Sequence, residues 1–140
     1  MSRHAKSLLV GGALAAALLV GCEADTTGLV TLTVPELATL LEGESGPVLC
    51  DANSPKTRAR HGVIPGALLL SNYRDYEPGA ELPADKGRKL VFYCHSEMCG
   101  AAVGAARKAI AGGYTNVAVL PAGIRGWSRA ERPIDKPSAS

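Results

Sequence analysis

The sequence predicts one α/β domain built on a parallel sheet with helices on both faces. Short apolar runs of strand composition alternate with helix-favouring stretches, the pattern of βαβ units. The runs are too short and too apolar for a sheet with one wet face. Two of them end in polar or reactive residues, Cys50-Asp51 and Cys94. Sheets of this kind bind ligands there, beyond the C-terminal ends of their strands.

Leu29–Leu32 has strand composition. Thr33-x-x-Glu36 is a capping box with Pro35 in the first turn, and Leu37, Leu40 and Leu41 then follow helical spacing. Gly43 and Gly46-Pro47 stop that helix, and Val48–Asp51 is a brief buried strand. Ser54-Pro55 starts a turn, Thr57–His61 fits one helical turn, and Ile64-Pro65-Gly66 turns into the apolar run Ala67–Leu70. Ser71–Lys86 is polar, carries Pro78-Gly79 and Pro83, and reads mostly as loop. Lys89–Cys94 is the strongest strand, and Gly100–Ala111 is an Ala-rich helix closed by Gly112-Gly113. Asn116–Leu120 is a further strand, Gly123–Ala130 a short helix carrying Trp127, and Pro133–Ser140 a frayed tail.

Composition narrows the function classes. The 140 residues suit one domain, and 46% hydrophobic with 20% charged residues exclude a disordered chain or a multi-span membrane protein. A net charge of +2 and six aromatics offer neither the basic face nor the stacking platform of a nucleic-acid binder. Four cysteines are too few for a disulfide scaffold.

The first 21 residues read as an address. Arg3, His4 and Lys6 precede the apolar stretch Ser7–Val20, which is too short to span a bilayer and fits a secretory signal peptide. It closes with Leu19-Val20-Gly21-Cys22, which resembles the bacterial lipobox. That resemblance makes Cys22 the lipidation site and first mature residue, followed by a polar tether over 22–28. Losing Arg3 and Lys6 would leave 13 Lys and Arg against 13 Asp and Glu, a neutral mature chain. Two or three acyl chains, palmitate among them, would hold it to a membrane. The sorting rule of such lipoproteins makes the outer membrane the default, because Glu23 and not Asp follows the cysteine. The expected location is the bacterial cell envelope, facing the periplasm.

The chemistry concentrates after the fourth strand. A loop between a strand end and a helix start exposes backbone N–H groups, which with the helix dipole favour a thiolate or persulfide and lower a thiol's pKa. Taken alone, Cys94 also fits a buried structural residue.

Three stretches, in order, extend the pattern. Val48-Leu49-Cys50-Asp51-Ala52-Asn53 is followed by Gly62-Val63-Ile64-Pro65-Gly66-Ala67. Tyr93-Cys94 leads through a loop into the Ala-rich helix. Gly113-Tyr114-Thr115-Asn116-Val117 runs on to Gly123-Ile124-Arg125-Gly126-Trp127. From about Leu32 to Ile134 the chain resembles the rhodanese family of single-domain sulfurtransferases. The resemblance implies a three-layer α/β fold, with a mainly parallel five-stranded sheet flanked by helices, over 29–134, and a disordered tail at 135–140. It implies that Cys94 accepts a sulfane sulfur. The six residues Cys94–Cys99 match the sulfurtransferase loop length, phosphatases of the same fold having one residue more. His95, Ser96, Glu97, Met98, Gly100 and Ala101 are then the substrate-binding candidates. Asp51 has a family-typical place at its strand end, where Arg58, Arg60 or backbone N–H groups can bond it in a structural role. The expected partners are a small sulfur donor and a thiol acceptor, with no cofactor, no metal and no nucleic acid.

The departures carry information. Glu97 and Cys99 stand where the family often has Gly and Arg. Gaining an acid and losing a cation disfavours an anionic donor such as thiosulfate by about 1–4 kcal/mol, depending on exposure. Cys99 is either a small buried residue at the helix start or a second catalytic thiol, which would allow a Cys94/Cys99 dithiol–disulfide reaction with a redox protein partner. His95 is a base, a substrate contact or a solvent-facing residue. His61 reads as surface, since the His of many relatives falls where this chain has Val63. Cys50 is a strand residue, or a disulfide partner of Cys94. Tyr93 and Trp127 read as packing. The rival classes are a metal site drawing on Cys50, Cys94, Cys99, His61 and His95, whose spacing fits no zinc motif, and a non-catalytic binding module.

Overall fold

The computed structural model describes residues 21–137. The signal-peptide reading of residues 1–20 and the last three tail residues lie outside them.

The chain runs β1 (Val30–Thr31), α1 (Val34–Glu42), β2 (Val48–Asp51), α2 (Pro55–His61), β3 (Leu68–Leu69), α3 (Pro78–Glu81), β4 (Leu90–Tyr93), α4 (Ala101–Ala111), β5 (Val117–Leu120) and α5 (Gly123–Arg129). The five strands form one sheet in the order β1-β5-β4-β2-β3, and every pairing is parallel. The α/β class and five-stranded sheet expected from the sequence are what the chain adopts. No helix among the described residues is long and apolar enough to cross a membrane.

Alternation along β4 sorts the core into two layers. Leu90 and Phe92 face α4 with Ala102, Ala105, Ala106 and Ala109. Val91 and Tyr93 face α1 and α5, with Leu37, Ile124 and Trp127. Side chains two apart share a face, so Cys94 continues the α4 side. The alanine-rich helix fits because small side chains let it lie close to the sheet. At α1, Thr33 Oγ1 accepts from the Glu36 N–H and Glu36 Oε2 accepts from the Thr33 N–H at 2.7 Å, so the capping box forms.

Ser71–Lys86 is mostly loop, as expected, with one helical turn at Pro78–Glu81. Two local readings change. The tail is pinned further than its composition suggests. Pro133 O accepts from Trp127 Nε1 at 2.8 Å, and Asp135 exchanges two backbone hydrogen bonds with Val63. Gly62 makes room for this, with φ +80° where a Cβ would run into Ile134. The tether is also docked, as described below.

Asp51 is fully buried at the end of β2. Arg58 Nε donates to its Oδ1 at 3.1 Å, and Arg58 Nη2 donates to Asp51 O and Leu70 O, both at 2.9 Å. One guanidinium thus ties α2 to the ends of β2 and β3. Burial and the Asp51 charge push the Tyr93 phenol well above its ordinary pKa. Its hydroxyl accepts from the Ile64 N–H at 3.0 Å.

Removing one partner of a buried pair strands the other's charge. Arg58→Leu should therefore cost about 3–5 kcal/mol in urea unfolding. Lys56→Ala, on the exposed side of the same helix, should stay within about 0.5 kcal/mol.

Candidate functional site

β4 is central in the sheet and ends at Tyr93, so Cys94 opens a loop at the C-terminal edge. α4 follows at Ala101, and its N-cap Gly100 offers no side-chain cap. The loop is held from behind. The Ile124 N–H donates to Cys94 O at 2.9 Å, and the Arg125 N–H donates to His95 O at 3.0 Å. Gly123 permits this approach: its φ is +60°, and a Cβ would lie 2.6 Å from Cys94 O. The Cys99 N–H closes the loop on Ser96 O at 3.0 Å.

Cys94 is 2% exposed and Cys99 partly exposed, and all four cysteines are free. Cys94 Sγ lies 3.1 Å from Cys99 O, to which its S–H donates. The two thiols also titrate together, because one S–H stabilises the other's thiolate. Cys99 is pulled down to about 5, first by the Cys94 S–H and then, against burial, by the His95 and Ala101 N–H groups and the His95 charge. Cys94 is pushed far up by that same donation and by burial, although the Ala102 and His95 N–H groups favour its thiolate. The lowering expected at Cys94 therefore falls on Cys99 in the resting pair. The contact the geometry gives the Cys94 thiol is the 3.1 Å one to Cys99 O.

Two clefts of about 230 Å³ flank the loop. The first brings Cys94, Ser96, Glu97 and Cys99 together with Glu23, Ala24 and Thr26. The second brings His95, Cys99 and Ala101 together with Asn53, Thr57 and Tyr73. Cys99 reaches both. Met98, 71% exposed, and Gly100, at the head of α4, line neither, so the loop's expected contacts divide between two surfaces.

Of the partners the sequence left open for Asp51, the side chain is bonded by Arg58, not Arg60, and it also accepts from the Asn53 N–H at 2.7 Å. That bond sets Asn53 in the second cleft, a residue whose type carried no signal. His95 is half-buried, with its ring centroid 4.5 Å from that of His61. Desolvation, His95 and Arg60 hold the exposed His61 below its ordinary pKa. Cys50 lies on the same face as Cys94 but is not bonded to it: the register pairs it with Phe92, two residues short of Cys94, and both thiols are free. Burial pushes its thiol to about 12. Among the described residues, no three His, Cys, Asp or Glu side chains converge on a metal position.

The family model described as "Rhodanese-like domain" matches residues 33–130. No curated protein matches the chain significantly. A solved structure of a protein of unknown function, RPA3614, described as "Possible Tyrosine Phosphatase", from Rhodopseudomonas palustris, is 28% identical, with TM-score 0.62 over 76% of this chain and 85% of its own. A thiosulfate sulfurtransferase from Pseudomonas aeruginosa is 23% identical, with TM-score 0.62 over 78% of this chain and 21% of that one. A variant of EanB in complex with ergothioneine is 20% identical, with TM-score 0.63 over 79% of this chain and 32% of that one.

The alkylation rate of Cys99 should rise with pH through a midpoint near 5. Cys94→Ala removes the S–H donor and should return that midpoint toward the ordinary thiol value. A midpoint unchanged by the substitution would show that the loop N–H groups alone set it. Gly123→Ala should cost about 1–3 kcal/mol of stability, because it forces both a left-handed non-glycine backbone and a clash onto the loop. Thermal unfolding checks this.

Proposed function

The chain belongs to the rhodanese-like domain family, and from that premise we propose that it is a sulfurtransferase carrying sulfane sulfur on Cys94. One observation carries the reading. Cys94 follows the last residue of the central strand in a six-residue loop, its Sγ 3.1 Å from the carbonyl of Cys99, whose residue lines the same cleft.

The chemistry follows from that arrangement. Loss of one proton from the two thiols supplies the thiolate, with Cys94 as the nucleophile. Cys94 then attacks the outer sulfur of a persulfide donor. A Cys94–sulfur bond forms, the donor's S–S bond breaks, and the donor leaves as a thiol that takes up the proton. The His95 and Ala102 N–H groups favour the resulting anion on Cys94. A thiolate acceptor attacks the outer sulfur in turn, and Cys94 departs as the thiolate. No net oxidation occurs.

The two cysteines in one cleft also support a second reading. Cys99 attacks the inner sulfur of the Cys94 persulfide, expels hydrosulfide and leaves a Cys94–Cys99 disulfide. A dithiol protein partner resets it by taking up the oxidation. A phosphatase reading, suggested by the description of the R. palustris protein, finds less support. The loop has six residues, and among the described residues no Lys, Arg or His lines the cleft that holds Cys94. We place the domain in the bacterial cell envelope, anchored through Cys22 and facing the periplasm, with the outer membrane as the default set by Glu23. The support for this is the Leu19-Val20-Gly21-Cys22 motif and the exposure of Cys22.

Treatment with a persulfide donor should add one sulfur atom to Cys94, read by peptide-resolved mass. Cys94→Ser should lose that addition and reduce sulfur transfer by at least about a thousandfold, the scale of losing a covalent nucleophile. Cys99→Ser should still load Cys94, and should hold the persulfide longer if the disulfide branch operates. Full transfer by Cys94→Ser would end the sulfurtransferase reading, and a folded protein that takes up no sulfur but retains a partner would replace it with a binding module.

A further inference from the structure

The polar residues after Cys22 read as a tether in sequence, yet they are built into the domain. The Ala24 N–H donates to Glu97 O at 2.8 Å, which joins the segment to the middle of the cysteine loop. Ala24 packs against the core cluster that contains Cys94. Arg107 Nη2, on α4, donates to Asp25 O at 3.3 Å and Thr27 O at 2.9 Å. The Thr27 N–H caps Asp25 Oδ1, and the Leu29 N–H bonds Thr26 O. The segment therefore forms one side of the first cleft, and it brings Glu23 to the same lining as Glu97.

The charge in that lining has one sign. Among the described residues that line it, Glu23 and Glu97 are the only acidic side chains and no Lys, Arg or His is present, and the thiol pair adds to the negative charge. Arg107 turns its guanidinium to the backbone carbonyls of Asp25 and Thr27. An anion entering a small cleft lined by two carboxylates meets like charge on its lining, and a cation meets attraction.

We propose that Glu23–Thr27 is a working wall of the sulfur cleft, and that Glu23 and Glu97 together restrict it to neutral or cationic sulfur carriers and reject anionic ones such as thiosulfate. The proposal deepens the sulfurtransferase reading and rests on the cysteine pair being the reacting site. Its test reads covalent capture, so it stands or falls separately from turnover.

The probes are two methanethiosulfonates, one bearing an ethyltrimethylammonium group and one an ethylsulfonate. A site thiolate attacks the reagent's sulfenyl sulfur, methanesulfinate leaves with the electron pair of the broken S–S bond, and a mixed disulfide remains. Protein carrying Cys22→Ser is used, and peptide-resolved mass assigns the reaction to Cys94 or Cys99. Each rate is divided by that of a free small thiol. The cationic reagent should then be preferred by about tenfold at low salt, and less at high salt, where surface charges are screened. Glu23→Gln and Glu97→Gln should each lower the preference by about two- to threefold, and Glu23→Lys with Glu97→Lys should reverse it. Ala24→Pro removes the N–H that holds the wall, and should speed both reagents while lowering the preference. These side chains are exposed, so melting curves should match wild type for the glutamate variants. A wild-type ratio equal to that of the free thiol would overturn the proposal, as would a ratio that Glu23→Gln leaves unmoved. Sulfur transfer without charge preference would remove this inference and keep the function, and charge preference without sulfur transfer would do the reverse.

Discussion

The site depends on two backbone hydrogen bonds, in which the first N–H groups of α5 take the carbonyls of Cys94 and His95. In a trans peptide the carbonyl and the following N–H point in opposite directions. Drawing Cys94 O toward α5 therefore turns the His95 N–H the other way, onto the sulfur atoms. The helix end gains partners for donors that would otherwise be orphaned, and the loop gains its orientation from the same contact. Only a glycine at position 123 lets the two backbones come so close. A family feature far along the sequence thus sets the electrostatics of a cysteine in the fourth strand's loop.

The opposite wall has its own anchor. Arg58 bonds one oxygen of the Asp51 carboxylate and two carbonyls, fastening β2, α2 and β3 where their ends meet. Asp51 in turn holds the Asn53 N–H, placing that residue in the second cleft. A buried ion pair adds little net stability compared with apolar packing. Its service here is geometric: it fixes three chain ends around the loop without occupying either cleft.

Between these anchors sit two thiols with unequal access. Cys94 is buried and meets only the first cleft, whereas Cys99 meets both. The resting charge on Cys99 follows from this arrangement. A thiol enclosed by the fold and facing a carbonyl is better kept protonated, which leaves the charge to its more exposed neighbour. Sulfur chemistry at Cys94 and redox chemistry of the pair both begin with the loss of one proton from these two thiols.

Much of this was legible in the residues themselves. Apolar runs located the strands, Thr33-x-x-Glu36 located the start of α1, and the order of Asp51, Cys94 and Trp127 pointed to the family, because each is a property of neighbours along the chain. Other features rest on contacts that side-chain identity does not encode. The tether became a wall through an alanine N–H and a glutamate carbonyl, groups that nearly every residue possesses. The tail was pinned through the carbonyl of Pro133 and a two-bond bridge to Val63. Which thiol carries the charge depended on burial and on a carbonyl 3.1 Å away, neither of which has a sequence signature. The sequence by itself determined the α/β class, the strand that carries Cys94 and the pair of cysteines in its loop. Only the tertiary structure decided which groups face those sulfur atoms, because backbone donors and acceptors acquire their partners when the chain closes on itself.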